Sequence, residues 1–139
     1  MTPSTPATEP APGPAPVHVS THVLDTQRGR PAAEVPVRLD AYDGTTWRPL
    51  AVGATDADGR WSAPSGGAAD DGTGGGTPSP APGNGTYRLR FGTGMYFAGL
   101  DTATFYPEVS IIFTIADTAE RHHVPLLLSP YGYSTYRGS

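Results

Sequence analysis

Apolar and polar residues alternate along most of this chain. In the stretch VHVSTHVL (residues 17–24), Val17, Val19 and Val23 fall on one side, while His22 falls on the other. Successive side chains of a β-strand point to opposite faces, so this spacing predicts a strand with one buried face. No window of the chain sustains the 3.6-residue apolar spacing of a helix for long.

The same alternation recurs along the chain and predicts about eight short strands separated by turns, which is the pattern of an all-β sandwich. Between two of these strands, Asp58-Gly59 is a turn signal of the kind found in hairpins. Residues 95–104 could hold a helical turn. The other strands are predicted at residues 35–42, 46–55, 60–63, 86–91, 106–116, 122–130 and 131–137.

Two stretches lack this alternation. Residues 1–16 hold six prolines and one charged side chain, so they bury too little apolar surface to fold and are predicted to be a disordered extension. Residues 65–85 are rich in Gly, Pro, Ser and Asp and are predicted to be a long flexible surface loop. The folded domain is therefore expected to span residues 17–139, with this loop as an insertion.

Composition narrows the possible partners. The formal net charge is −4, so no basic surface is expected for nucleic acid or an anionic membrane. All nine basic residues are arginine, which indicates a composition bias and not a function. The chain has no cysteine, and no apolar run is long enough to cross a bilayer. We predict a cytoplasmic protein. At 139 residues the core is modest in size, which makes stabilisation by oligomerisation plausible.

The four histidines are the side chains that titrate near neutral pH without special help. His122 and His123 are neighbours on a predicted strand, so they point to opposite faces and cannot both serve one site. His18 and His22 share a face but lie roughly 13 Å apart along their strand, which disfavours a metal site built from that pair. No metal is predicted. Each histidine could still be an ordinary hydrogen-bonded strand residue or a functional group.

Arg60 has two interpretations of the same kind. It could be a surface residue that begins a strand, or it could offer its planar row of donors to a carbonyl-rich or anionic ligand. Asp56 and Asp58 lack the further ligands of a calcium loop, so we assign them to a turn. Ser139 lacks the G-x-S-x-G context of a nucleophilic serine.

Four motifs in a fixed order carry a resemblance to a known family. They are STHVLD (residues 20–25), TDADGR (55–60), the stretch from Tyr87-Arg88 to FYPE (105–108), and HVPLLLSPYGYSTYRGS (123–139). Together they resemble the transthyretin-like 5-hydroxyisourate hydrolases. Transthyretin itself shares the fold and part of the last motif, but it does not end in Y-R-G-S, so the ending favours the hydrolases.

The resemblance implies a prealbumin-like sandwich of two four-stranded sheets, assembled as a homotetramer with ligand sites between dimers. It implies hydrolysis of 5-hydroxyisourate to 2-oxo-4-hydroxy-4-carboxy-5-ureidoimidazoline in urate degradation, without metal or other cofactor. The family's catalytic residues correspond to His22, Arg60, His123 and Ser139. Substrate contacts would come from His22 and Arg60 and from the tail residues Tyr136, Arg137 and Gly138.

One departure from the family concerns the site. The family often has H-x-H-V-P, whereas this chain has Arg121 in place of the outer histidine. Two other functions stay open: a transthyretin-type carrier that binds a small ligand without chemistry, and an adhesive β-sandwich module. The presence of His22, Arg60 and His123 together favours the hydrolase over both.

Overall fold

Ten strands and one short helix make up the described part of this computed structural model, residues 17–64 and 83–139. In chain order the elements are β1 (His18–Asp25), β2 (Arg30–Pro31), β3 (Pro36–Tyr42), β4 (Trp47–Ala54), β5 (Arg60–Ala63), β6 (Gly85–Phe91), α1 (Thr93–Ala98), β7 (Val109–Ile115), β8 (Arg121–His123), β9 (Leu126–Ser129) and β10 (Gly132–Thr135).

The first sheet is built around β1. The first half of β1 pairs with β5 on one side and with β8 on the other, and its second half pairs with β2 and β9. Strand β10 adds to the free side of β9. Six strand segments therefore occupy four positions across this sheet, because β8 and β9 follow one another along one side of β1, and β5 and β2 share the other side.

The second sheet contains four antiparallel strands in the order β4-β3-β6-β7. The two sheets bury their facing sides against each other, and the fold is mostly β. The predicted all-β sandwich is confirmed, and the expected four positions are found in each sheet.

The alternation seen in the sequence determines which side chains form the core. Along β1 every second residue is buried, and the half-buried residues between them lie on the opposite face. Two of the buried residues of β1 are polar, Thr21 and Asp25, and the hydroxyl of Thr21 donates a 2.6 Å hydrogen bond to the carbonyl of Val124. The largest fully buried side chains are Leu39, Tyr87, Leu89, Phe91, Phe97, Ile115, Leu126 and Leu128.

The structure differs from the predicted elements in a few places. The predicted strand at 122–130 is divided into β8 and β9 at Val124-Pro125, because proline has no N–H to donate to the ladder. The last strand ends at Thr135 rather than at residue 137, and β6 already begins at Gly85. The predicted extension 1–16 and residues 65–82 of the predicted loop lie outside the described residues.

Within residues 17–64 and 83–139, no helix is both long enough and apolar enough to span a membrane.

Asp25 fixes the end of β1. Its buried carboxylate accepts hydrogen bonds from the backbone N–H groups of Gln27 and Arg28, both at 3.0 Å. The hydroxyl of Tyr96, in helix α1, donates a third hydrogen bond of 2.6 Å. Burial and this hydrogen bond to Asp25 both raise the pKa of Tyr96. The contact joins the helix to the strand that carries the site described below.

We predict that Tyr96→Phe lowers the free energy of unfolding by about 1–3 kcal/mol, because the buried Asp25 carboxylate loses one of its donors. Urea denaturation at one fixed protein concentration measures the change. Tyr131→Phe is the matched control, since Tyr131 is 64% exposed. Equal midpoints for the two variants would contradict the role given to Tyr96.

Candidate active site

Three predicted site residues lie on three neighbouring strands of the first sheet. His22 on β1 pairs with Arg60 on β5, and Ser20, two residues earlier on β1, pairs with His123 on β8. Directly paired residues project from the same face of a sheet, and so do residues two apart on one strand. These four side chains therefore share the outer face of the first sheet, away from the core.

A tight turn sets the position of Arg60. The Asp56 carboxylate accepts hydrogen bonds from the backbone N–H groups of Asp58 at 2.9 Å and Arg60 at 3.0 Å. These backbone N–H groups, that of Arg60 foremost, lower the pKa of Asp56. Gly59 completes the turn with a positive φ of 78°, which favours glycine, and its carbonyl accepts from the N–H of Val23. The Asp-Gly turn that the sequence predicts therefore aligns β5 with β1.

The imidazole of His123 is held by a neighbour on β1. Its Nδ1 lies 2.8 Å from the hydroxyl oxygen of Ser20. Burial lowers the pKa of His123, and the nearby charges of His22 and Arg60 lower it further. The neutral form of His123, which can accept a proton, is therefore favoured near neutral pH.

The C-terminal residues return to His123 after β10 ends. The N–H of Gly138 donates a 2.8 Å hydrogen bond to the carbonyl of His123. A Cβ at Gly138 would lie 2.6 Å from Cδ2 of His123, so only glycine fits against the ring. Arg137, the residue before Gly138, forms an exposed ion pair of 3.1 Å with Glu120. This path places Ser139 next to the row of site residues formed by His22, Arg60 and His123.

An open cavity of about 770 Å³ lies over this row. The cavity is lined by Arg60, His123 and Ser139. His22 does not line it but is paired with Arg60 on the neighbouring strand. A second cavity of about 260 Å³ lies on the other side of His123, against β7. Of the remaining predicted residues, Tyr136 and Arg137 line this second cavity, and Gly138 packs against the ring of His123.

Other residues also line the larger cavity, among them Ser20, Trp61 and Arg121. Ser20 could have been identified as a candidate from the sequence, because it lies two residues before His22 on the same strand and therefore shares its face. The indole ring of Trp61 packs closely on Gly53, because a Cβ there would lie 2.3 Å from the indole nitrogen. This contact joins two strands and therefore leaves no signal in the local sequence. Arg121 occupies the position where the family often has a histidine.

The other two histidines lie apart from the row. His122 is buried on the opposite face from His123, as the alternation predicts, with 5% of its surface exposed. His18 lines a smaller cavity next to Ser62 and Arg121. In the part of the chain that the structure describes, no group of three or more His, Cys, Asp or Glu side chains is arranged to hold a metal ion.

Comparison with known proteins shows the family of this chain. Residues 19–138 match the model of the HIUase/Transthyretin family. The chain belongs to this family. A member from Salmonella dublin named 5-hydroxyisourate hydrolase is 45% identical over 121 residues, which cover 87% of this chain and 80% of the relative.

Solved structures of the HIUase/Transthyretin family show the same fold. The 5-hydroxyisourate hydrolase of Klebsiella pneumoniae superposes with a TM-score of 0.65 at 35% identity, covering 88% of this chain and 99% of that one. Sea bream transthyretin, solved with thyroxine, gives a TM-score of 0.69 over 86% of this chain and 93% of that one. Its identity is 23%, so this second likeness concerns the fold alone.

We predict that Gly59→Ala destabilises the protein more than Gly44→Ala. Both glycines have positive φ, at 78° and 98°, so both variants pay a backbone cost of about 1 kcal/mol. Only at Gly59 would the new Cβ also lie 2.5 Å from a backbone oxygen, that of Val23, whereas nothing lies within 4 Å at Gly44. Denaturant unfolding measures both variants, and equal losses would contradict the close fit of the turn.

Proposed function

We propose that this protein hydrolyses 5-hydroxyisourate to 2-oxo-4-hydroxy-4-carboxy-5-ureidoimidazoline, a step of urate degradation. The observation that carries the proposal is the row of His22, Arg60 and His123 beside one open cavity. Its support from relatives is the 45% identity to a protein named 5-hydroxyisourate hydrolase.

The reaction adds one water molecule across the ring amide between N1 and C6. The water oxygen attacks C6, the C6–N1 bond breaks, the hydroxyl stays on C6 as a carboxyl group, and N1 takes a proton. A group that accepts a proton from water is needed, and neutral His123 meets this need because burial keeps its pKa low. His22, on the neighbouring strand, helps to activate and orient the water.

Arg60 is proposed to bind the carbonyl edge of the substrate. Its guanidinium presents several donors in one plane, which suits a flat molecule rich in carbonyl groups. Negative charge develops on the attacked carbonyl oxygen, and a preorganised cation beside it lowers the barrier. The side chain is exposed at the cavity, and the Asp56 carboxylate holds the backbone from which it extends.

The tail completes the proposed site. Ser139 lines the larger cavity and would place water or substrate there. Gly138 packs on His123, while Tyr136 and Arg137 line the second cavity beyond that ring. We propose that they contact substrate within a homotetramer, in which the cavities lie between dimers.

The proposed chemistry uses no metal or other cofactor, and a cytoplasmic location stays a prediction of the sequence.

A transthyretin-type carrier is the alternative function. Such a protein needs the sandwich and a cavity, but it needs no proton acceptor near neutral pH and no arginine aligned with it. The identity of 23% to sea bream transthyretin, against 35% to the Klebsiella hydrolase, also favours the enzyme.

We predict that His22→Ala, Arg60→Ala and His123→Ala each lower kcat/KM by at least about 100-fold, because each loses a group that acts on water or on the developing charge. The assay follows loss of the ultraviolet absorbance of 5-hydroxyisourate generated by urate oxidase. His18→Ala and Arg48→Ala are the matched controls, since both lie outside the row. A wild-type rate equal to that of the buffer would refute hydrolysis, and full rates in all three variants would refute the site.

The pH profile tests the role of His123. Its pKa is lowered from 6.5, so the neutral base persists below that pH, and kcat/KM should fall only at a lower pH. Arg60→Gln removes one of the charges that lower this pKa, so the residual activity of that variant should begin to fall at a higher pH than in the wild type. An acid limb above pH 6.5 in the wild-type profile would contradict this assignment.

A further inference from the structure

We propose that Ser20 is a positioning residue that holds the imidazole of His123 in the orientation and tautomer needed to take a proton from water. The proposal rests on the hydrolase function above, and it concerns a residue that the family's motifs do not single out as catalytic. It is carried by the 2.8 Å contact between the Ser20 hydroxyl and Nδ1 of His123.

The position of Ser20 is fixed by backbone pairing on both of its sides. It lies opposite His123 on β8 and opposite Ser62 on β5, in the middle of the sheet. The N–H of Val124, the residue after His123, also donates a 2.8 Å hydrogen bond to the carbonyl of Ser20. The hydroxyl therefore approaches Nδ1 from a rigid strand rather than from a loop.

This contact bears on which nitrogen of His123 can act. The Ser20 hydroxyl can accept a hydrogen bond from Nδ1–H or donate one to a bare Nδ1, so the distance alone fits either tautomer. We assign the tautomer in which Nδ1–H donates to the Ser20 oxygen, because a neutral imidazole carries one N–H and only this arrangement leaves Nε2 able to accept a proton from water.

The same bond persists through the proton transfer. After Nε2 takes a proton from water, the imidazolium has an N–H on both nitrogens and needs an acceptor at each. The Ser20 oxygen already accepts from Nδ1, so no side chain has to turn during the step. On the other edge of the ring, Gly138 packs so closely against Cδ2 that the ring has little room to rotate.

The contacts of Ser20 favour this role over a purely structural one. The neighbouring Thr21 uses its hydroxyl to satisfy a core carbonyl, that of Val124, and so contributes to the fold. Ser20 lies on the opposite face of β1 and directs its hydroxyl to the side chain of His123. Its loss should therefore change the chemistry of His123 more than the packing of the sandwich.

The test compares Ser20→Ala with Ser20→Thr and with Ser110→Ala. Ser110 is a matched control, because it is also a strand serine with a side-chain hydrogen bond, to Glu108, and it is exposed on β7. We expect Ser20→Ala to lower kcat about 5- to 10-fold with KM unchanged, since the lost bond reaches His123 and not the substrate. Ser20→Thr, which keeps the hydroxyl, should recover most of the rate, and Ser110→Ala should match the wild type.

A second readout does not depend on activity. Nitrogen NMR of ¹⁵N-histidine-labelled protein reports which ring nitrogen of His123 carries the proton. We expect the Nδ1-protonated tautomer in the wild type and its loss in Ser20→Ala. A wild-type His123 protonated at Nε2 would overturn the proposal even if no variant folds, and so would a rise in KM alone in Ser20→Ala. If the wild type fails to hydrolyse 5-hydroxyisourate, the proposed function fails, while the tautomer still decides the role of Ser20.

Discussion

Strand β1 is hydrogen-bonded along both of its sides, and His22, Arg60 and His123 lie on it or on the strands paired with it. Its first half aligns β5, which begins with Arg60, and β8, which ends with His123. Its second half is paired with β2 and β9 and ends at the buried Asp25. A shift of one residue in either pairing would turn the row of functional side chains into the core, so register and chemistry are set together.

The same strand separates two environments. Its buried residues face the second sheet, and its half-buried residues lie on the outer face, where Ser20 lines the open cavity. This division explains how His122 and His123 differ although they are adjacent: the first lies in the interior, and the second lies in the row, where partial burial and neighbouring positive charge keep it neutral. A histidine base needs this intermediate setting, because full exposure would leave its pKa unchanged and full burial would deny it water.

Most of the fold could be predicted from the sequence because period-two alternation is a local signal. The faces of β1 and the Asp-Gly turn before Arg60 follow from neighbouring residues alone. The contact of Ser20 with His123 and the packing of Trp61 on Gly53 could not be predicted, since each joins separate strands and depends on register. The places of the tail residues met the same limit, since Tyr136 and Arg137 line the second cavity whereas Ser139 lines the larger one.

The hydrogen bond between Ser20 and His123 joins residues 103 positions apart. Because β8 and β9 run parallel to β1, no hairpin can bring them together, and the strands in between must fold before His123 can join His22 and Arg60. Contacts of such long range form slowly and are costly in chain entropy until the intervening strands are in place. The appearance of an ordered His123 imidazole would therefore mark a late stage of folding, whereas the antiparallel pairing of His22 with Arg60 does not depend on β8.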